Sequence, residues 1–308
     1  MLKLEGITKR FKSDLLAQPF VALDHVSFDI PDGSMVGFLG ANGAGKTTSI
    51  KVIMDFIRAD QGTVTFSPKL GPNKIEIFKK IGFLPERPYF YPNLRGEEFL
   101  MFMGLLSEMS QADIKSGIAK WAPRFKIDYA LKRELKTYSK GMLQRIGFLA
   151  TILHNPELII LDEPLSGLDP IGRKELKDVI VEVHREGRTV FFSSHIVPDI
   201  EEICDRVIFL KDGKLVYDGD VSQLLKTDQD SHYIIKFRHS EVPILQSPYV
   251  KMDRFPEGLF AITVDENRKK ILMEELMGKN FNIIGIDFLK PSLEEIFYKT
   301  KSNHESTL

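Results

Sequence analysis

The sequence predicts an α/β fold in which a parallel sheet is covered by helices on both faces. Two observations carry this. An apolar run ending at Leu39 leads into a glycine-rich loop, and residues 48–57 then read as a helix with Ile50, Ile53, Met54 and Ile57 on one face. From residue 158 onward the short apolar runs 158–161, 189–193 and 207–210 alternate with helical segments at 172–186 and 198–204, the pattern of strand–helix–strand units.

The 308 residues favour about two domains. Hydrophobic residues make up 43% and charged residues 28%, as in ordinary globular proteins. The net charge of -1 offers no bulk attraction for nucleic acid, and none is expected as a partner. Cys204 is the single cysteine, so no disulfide can form within the chain, and its apolar surroundings mark it as a small core residue. Charges at Lys3, Glu5, Lys9, Arg10, Lys12 and Asp14 argue against a signal peptide. The longest charge-free windows, 34–45 and 146–156, fall well short of the roughly 18 apolar residues that cross a bilayer. A cytosolic location is the default expectation.

Between residues 86 and 155 helical periodicity dominates and strong strand runs are missing. Asn93 is the expected helix cap there, with Glu97 and Glu98 in the first turn, where the helix dipole favours acids. Asp212-Gly213 reads as a hairpin turn. The polar stretch 226–232 reads as a linker. Beyond it 233–237, 259–264 and 282–288 are expected strands, and 266–277 and 291–299 expected helices, the second with Pro291 in its first turn. The tail, residues 233–308, is therefore expected to be a small α+β domain.

Gly40-Ala41-Asn42-Gly43-Ala44-Gly45-Lys46-Thr47 fits the P-loop pattern G-x-x-x-x-G-K-[ST]. Its glycines let successive backbone N–H groups turn inward around phosphate oxygens, which a Cβ would obstruct. The helix that follows presents its positive end to the same phosphates. Lys46 is expected on the β- and γ-phosphates and the Thr47 hydroxyl on Mg²⁺, with Asn42, Gly43, Ala44, Gly45 and Thr48 completing the cradle. The apolar run 158–161 then delivers Asp162 and Glu163 at a strand end, where open α/β sheets bind ligands. Asp162 suits a place in the Mg²⁺ shell and Glu163 the polarisation of an attacking water. Guanine specificity is not supported. The nearest match to N-K-x-D is Asn73-Lys74-Ile75-Glu76, which ends in the wrong acid, precedes the acidic strand and reads as a surface loop.

A more specific pattern is Tyr138-Ser139-Lys140-Gly141-Met142-Leu143-Gln144-Arg145, followed by an apolar helix at 146–153 and then Asn155-Pro156. It resembles the signature of ATP-binding-cassette (ABC) ATPases, usually Leu-Ser-Gly-Gly-Gln. Ser166-Gly167-Leu168-Asp169-Pro170 is similar to that family's D-loop, and Ser193-Ser194-His195 to its switch histidine. P-loop, signature, acidic strand, D-loop and histidine stand in the family's order between Gly40 and His195.

The resemblance covers residues 1 to about 225 and implies a P-loop NTPase core with an antiparallel β-subdomain, formed by 2–11 and 21–30, and a helical subdomain over about 86–154. It implies ATP and Mg²⁺ as cofactors. Lys46, Glu163 and His195 would be the catalytic residues, Ser139 and Gly141 the γ-phosphate contacts, and Phe11 an adenine-stacking ring. Two departures stand out: Lys140 replaces the signature's first glycine, and Glu86, in Gly82-Phe83-Leu84-Pro85-Glu86, replaces the family's Q-loop glutamine, keeping an oxygen ligand for the metal but adding charge. The resemblance further implies a head-to-tail dimer with a second copy or a paralogous ATPase subunit. A polytopic membrane subunit would receive the aromatic segment 89–106, with Tyr89 to Tyr91 exposed. The tail Pro291-Ser292-Leu293-Glu294-Glu295-Ile296-Phe297 is similar to ATPase subunits of bacterial ABC-2 exporters, which implies export and a place on the cytoplasmic face of the membrane. The runners-up are a soluble cassette ATPase acting on DNA or ribosomes and a regulatory ATPase that transports nothing. Against the first stand a single cassette, the lack of a heptad arm and the single cysteine.

Overall fold

Buried strands dictate the layout. The computed structural model describes residues 1–11, 20–223 and 232–289, and the chain divides into two compact units, Met1–Val221 and Ser222–Leu308. In the first unit, β3 (Met35–Leu39), β5 (Ile81–Leu84), β6 (Leu158–Leu161), β7 (Thr189–Ser194), β8 (Arg206–Lys211) and β9 (Lys214–Asp220) form one sheet, ordered β5-β6-β7-β3-β8-β9. All neighbours pair in parallel except β8 with β9. Strands β3, β6 and β7 are buried along their whole length, so they carry continuous apolar runs rather than alternating ones. The β8–β9 hairpin turns at Asp212 and Gly213, both with left-handed backbones (φ 47 and 75) as a tight primed turn requires.

A second, antiparallel sheet joins β1 (Leu2–Phe11), β2 (Phe20–Ile30) and β4 (Gln61–Phe66) in the order β2-β1-β4. Strands β1 and β2 match the expected pair. Strand β4 is a finding of the structure, because its half-exposed sequence has little apolar signal and it is recruited by β1, through pairs such as Leu2↔Phe66. The two sheets share one core in which Phe28, Phe38 and Phe191 meet at centroid distances of 5.2–6.0 Å.

Helices cover the parallel sheet. They are α1 (Lys46–Ile53), α2 (Lys74–Lys79), α3 (Gly96–Leu106), α4 (Gln111–Trp121), α5 (Lys140–Ile152), α6 (Pro170–Arg185) and α7 (Val197–Ile203). Three departures from the expected boundaries have local causes. Helix α1 starts two residues early, because Gly45 turns the chain at φ 105, and stops before Asp55, whose φ of 58 cannot continue a helix. Asn73 does not sit in a loop: its side chain accepts from the Glu76 N–H (3.0 Å) and caps α2. Asn93 caps nothing. The backbone of Leu94, Gly96 and Glu97 is bonded to Leu135, Arg133 and Leu131, which postpones α3 to Gly96, with the Glu98 carboxylate accepting from the Arg95 N–H at 2.8 Å.

Within the aromatic segment, Tyr89 is 81% and Tyr91 45% exposed, whereas Phe90 turns inward against Phe99 and Gly147. Cys204 is buried in the core, which pushes its thiol pKa well up.

The second unit holds an antiparallel sheet, β11-β12-β10-β13, of β10 (His232–Arg238), β11 (Lys251–Phe255), β12 (Leu259–Asp265) and β13 (Asn282–Leu289). Helix α8 (Glu266–Gly278) packs Leu272 and Leu276 against Ile235, Phe237, Phe260 and Ile262. His232 belongs to β10 rather than to a linker, since its register with Asp265 and Leu289 extends the ladder. Residues 226–231 and the segment 291–299 lie outside the described residues.

The seat of α7 on the sheet is tight. A Cβ on Gly37 in β3 would lie 2.6 Å from two carbons of Ile200 and 3.0 Å from the Cys204 sulfur. Gly37→Ala is therefore expected to lower unfolding free energy by about 1–3 kcal/mol through overpacking. Urea unfolding measures it, and wild-type stability would contradict this packing.

Candidate functional site

Because β6, β7 and β3 are adjacent and parallel, their C-terminal ends converge on one edge, the place where open α/β sheets hold ligands. There a cleft of about 410 Å³ is lined by Ala41, Asn42, Gly43, Gly45, Lys46, Thr47 and Thr48 of the loop and α1. Phe20, Ala22, Glu86, Glu163, Ser166 and His195 complete its wall. The loop's shape is obligatory. A Cβ on Gly40 would lie 2.6 Å from the Leu210 carbonyl oxygen, and one on Gly45, already at φ 105, 2.7 Å from the Ala22 oxygen. Ala44 does not line the cleft. Its side chain is buried and its N–H donates to the Ala41 oxygen at 3.1 Å.

Lys46 is 6% exposed and donates to the Gly40 oxygen (2.7 Å) and the Ala41 oxygen (3.3 Å), with the Glu163 Oε1 at 3.3 Å. Glu163 Oε2 lies 2.9 Å from His195 Nδ1. A cation, a carboxylate and an imidazole thus form one chain across the cleft. Glu163 itself has a left-handed backbone, φ 50, a strained conformation for a residue with a side chain. Its Oε1 is buried and makes no hydrogen bond.

Asp162 is 1% exposed and accepts from the Ser193 hydroxyl at 2.6 Å. Burial pushes its pKa above the ordinary carboxyl value, against hydrogen bonds from Ser193 and Thr47 that favour the charged form, while the Glu86 charge adds to the rise. Ser193 also accepts from the Glu163 N–H at 2.8 Å. One hydroxyl therefore aligns both acids. Among the described residues no group of three or more His, Cys, Asp or Glu could hold a metal by itself. The Thr47 hydroxyl and the carboxylates of Asp162 and Glu86 nevertheless fit Mg²⁺, which takes hard oxygen donors and commonly uses only one or two protein ligands beside phosphate and water.

Three candidates lie elsewhere. Phe11 is not on the cleft wall: it ends β1 paired with Phe20, and Phe20, one strand over, lines the wall instead. Phe11 is 41% exposed, with the Lys9 ammonium 5.5 Å from its ring. Ser139 and Gly141 line a separate depression with Lys126, Tyr129, Met142, Arg145, Leu168, Asp169 and Glu175. The Ser139 hydroxyl accepts from the Met142 N–H at 3.2 Å and caps α5.

Sequence reasoning quoted Ser193 beside His195 but missed its role, whose signal was only a small hydroxyl residue near the end of the strand beside the acidic one. It also missed Gln144, buried in α5, whose Nε2 donates to the Pro164 oxygen at 2.9 Å and ties the signature helix to the segment after Glu163.

The sequence matches the ABC transporter family model over residues 23–166. It is 33% identical over 287 residues to an uncharacterised ABC transporter ATP-binding protein of Synechocystis sp., covering 92% of this chain and 79% of that one. This chain belongs to the ABC transporter ATP-binding proteins. The Bacillus subtilis ABC transporter ATP-binding protein YhaQ is 31% identical, with 96% of this chain and 97% of that one covered. The bacitracin transport ATP-binding protein BcrA of Enterococcus faecalis is 33% identical, with 97% and 96% covered. Among solved structures, an ATP-binding subunit of an ABC transporter superposes with a TM-score of 0.62 at 27% identity, over 73% of this chain and 92% of that one. The ATP-binding cassette MJ0796, solved as a dimer bound to ADP and phosphate, shares the fold at a TM-score of 0.64 and 22% identity, over 72% of this chain and 99% of that one. The chain is an ABC-type ATPase, the ATP-binding subunit of a transporter, and its α/β fold is that of the family. No helix among the described residues is long and apolar enough to cross a membrane.

The raised pKa of Asp162 has a consequence for stability. Between the ordinary carboxyl value and the raised one, the folded ABC protein binds more protons than the unfolded chain, so this residue's contribution to stability falls as pH rises through that window. Asp162→Asn is expected to raise the Mg²⁺-free unfolding midpoint at neutral pH, with the gain shrinking below the ordinary carboxyl range. A thermal melt series across pH checks this, and a pH-independent difference would contradict it.

Proposed function

We propose that this ATP-binding subunit hydrolyses Mg-ATP in the cleft at Lys46, Thr47 and Glu163, and that closure of a head-to-tail dimer on ATP drives export through a separate membrane subunit. In this reading Met1–Val221 is the ATPase domain and the second unit an accessory domain.

The observation that carries the reading is the Lys46–Glu163–His195 chain beside the buried Asp162, with the signature residues Ser139 and Gly141 facing a different depression. A signature that does not line its own chain's cleft is suited to a partner's nucleotide. The partner is a second copy or a paralogous ATPase subunit.

ATP phosphates take over the Lys46 ammonium from the Gly40 and Ala41 oxygens and Glu163, and the P-loop N–H groups surround them. Glu163, relieved of Lys46, accepts the proton of the attacking water while the His195 bond holds its carboxylate in direction. Thr47, Asp162 and Glu86 hold Mg²⁺, which supplies charge neutralisation on the phosphoryl oxygens. Phe20, at the cleft wall, takes the adenine-facing place first assigned to Phe11. Because phosphoryl transfer needs mainly positioning and charge stabilisation, closing a second subunit over the site can supply both.

Exposed Tyr89, Tyr91 and Phe102 sit by a groove of about 630 Å³ lined by Met101, Phe102, Leu105 and Ile118. Such an apolar surface marks a docking face, and we assign it to the polytopic membrane subunit, which puts the chain on the cytoplasmic face. Export of a drug, lipid or polysaccharide is supported by the ABC-2-like tail, residues 291–297, and by similarity to BcrA, a protein named for bacitracin transport.

Glu163→Gln is expected to slow turnover by about a hundred-fold or more, because an amide cannot take the water proton, while ATP binding is retained or tightened. Hydrolysis assays and equilibrium binding test this, and wild-type turnover would remove Glu163 from catalysis. With that variant at saturating Mg-ATP, sedimentation should show a dimer. A monomer would overturn head-to-tail closure of this chain with itself.

Glu86→Gln is expected to retain hydrolysis but to reach half-maximal rate only at several-fold higher Mg²⁺, since a neutral amide replaces a carboxylate beside the metal. An unaltered Mg²⁺ titration would exclude Glu86 from the metal's surroundings.

A further inference from the structure

Two segments reach the cleft with no strand to hold their tips. One carries Ser166 and runs to Asp169, which caps α6 through its carboxylate and the Gly172 N–H at 3.1 Å. The other carries His195 and runs into α7. One turn into α6 stands Arg173, and one turn beyond His195 stands Asp199. Their side chains are ion-paired. Lys177, a further turn along α6, lies 3.8 Å from the second oxygen of Asp199 and is also paired with Glu202 of α7.

This is an expensive place for charge. Asp199 is 3% exposed, and burial pushes its pKa upward despite the two cations. Buried ion pairs add little net stability over apolar residues of similar volume, and their best-attested use is to enforce one geometry. Arg suits that use, because its planar fork meets a carboxylate in a fixed orientation. On its other side α7 is held by Ile200, packed on Gly37 in β3, the strand that leads into the P-loop. The His195 ring itself is 39% exposed, and its bond to Glu163 is the polar contact that fixes it.

We propose that Arg173, Asp199 and Lys177 are positioning residues for ATP hydrolysis: their ion-paired cluster ties the Ser166–Asp169 segment to His195, so that both take up their places at the cleft together. The proposal rests on the reading of Glu163 and His195 as the hydrolytic pair. It assigns the cluster no contact with nucleotide. Loss of the tie therefore lowers the hydrolytic rate and spares ground-state binding, because a small misplacement of an orienting group costs far more in rate than in affinity.

The test uses single-turnover hydrolysis and Mg-ATP binding by the full chain, with thermal unfolding in parallel. The double variant Arg173→Met/Asp199→Leu removes both charges and leaves neither unpaired, which favours a folded protein. It is expected to hydrolyse ATP about ten- to a hundred-fold more slowly, with the ATP dissociation constant within about two-fold of wild type. Arg173→Lys keeps Asp199 neutralised and so keeps the fold, but its shorter, unforked stem moves the charge away from the Nη2–Oδ2 contact. It is expected to fall between wild type and the double variant, and it decides the matter should the double variant not fold. Wild-type turnover in a folded double variant or in Arg173→Lys would overturn the tie, as would a loss of turnover matched by equal loss of ATP affinity. His195→Ala, run beside them, separates the two ideas: if it turns over normally, the reading of the site fails, whereas a slow His195→Ala with fast tie variants refutes the tie alone.

Discussion

Parallel pairing of β3 with β7, and of β7 with β6, is the constraint on which everything else depends. It sets three strand ends side by side, so that a loop after Leu39, two acids after Leu161 and a histidine after Ser194 share one edge although more than a hundred residues separate the first from the others. The strands can be held so because they are buried on both faces and apolar throughout. At their tips the polarity changes abruptly. Ser193 then spans the gap between two strands, donating to Asp162 and accepting from the Glu163 N–H. A serine there does what no apolar strand residue could: it fixes the direction of two carboxyl-bearing residues, the buried Asp162 and the cleft-lining Glu163.

The site is built against stability. Asp162 is buried at a cost that its hydrogen bonds only partly offset, and Glu163 sits in a left-handed backbone with a buried oxygen that forms no hydrogen bond. The ammonium of Lys46 neutralises Glu163 and satisfies the loop carbonyls. Features that weaken the folded chain alone are thus gathered around one cleft. That is the general trade between stability and activity.

The signature helix α5 shows how one element can serve two surfaces. Its N-terminus, at Ser139 and Gly141, faces outward, while Gln144 in its second turn is buried and bonded to the Pro164 oxygen just after Glu163. The helix is therefore tied to the segment after Glu163 through its second turn and open to solvent at its N-terminus. Lys140, which takes the place of a signature glycine, lies along Gly167, where the space a Cβ would fill is taken by the lysine's own end. The signature and the segment after Glu163 touch within one subunit.

The sequence by itself determined what depends on short stretches of chain. The P-loop, the apolar strand ending in Asp162-Glu163 and the Asp212-Gly213 turn are each set by a few consecutive residues, because backbone freedom and burial act locally. The main strands of the parallel sheet and helices α6 and α7 were legible for the same reason. Tertiary structure alone decided which distant residues meet. Strand β4 is recruited by β1 from about sixty residues away, β5 joins the sheet on four residues, and β11 is fixed by pairing with β12. Phe20 of β2, rather than its partner Phe11 of β1, stands on the cleft wall. No motif gives the roles of Ser193, Gln144 and the pair Arg173–Asp199, since each acquires its role from a partner on another element. A hydroxyl, an amide or an ion pair becomes specific only when packing excludes water and leaves it one partner, and packing is a property of the whole fold.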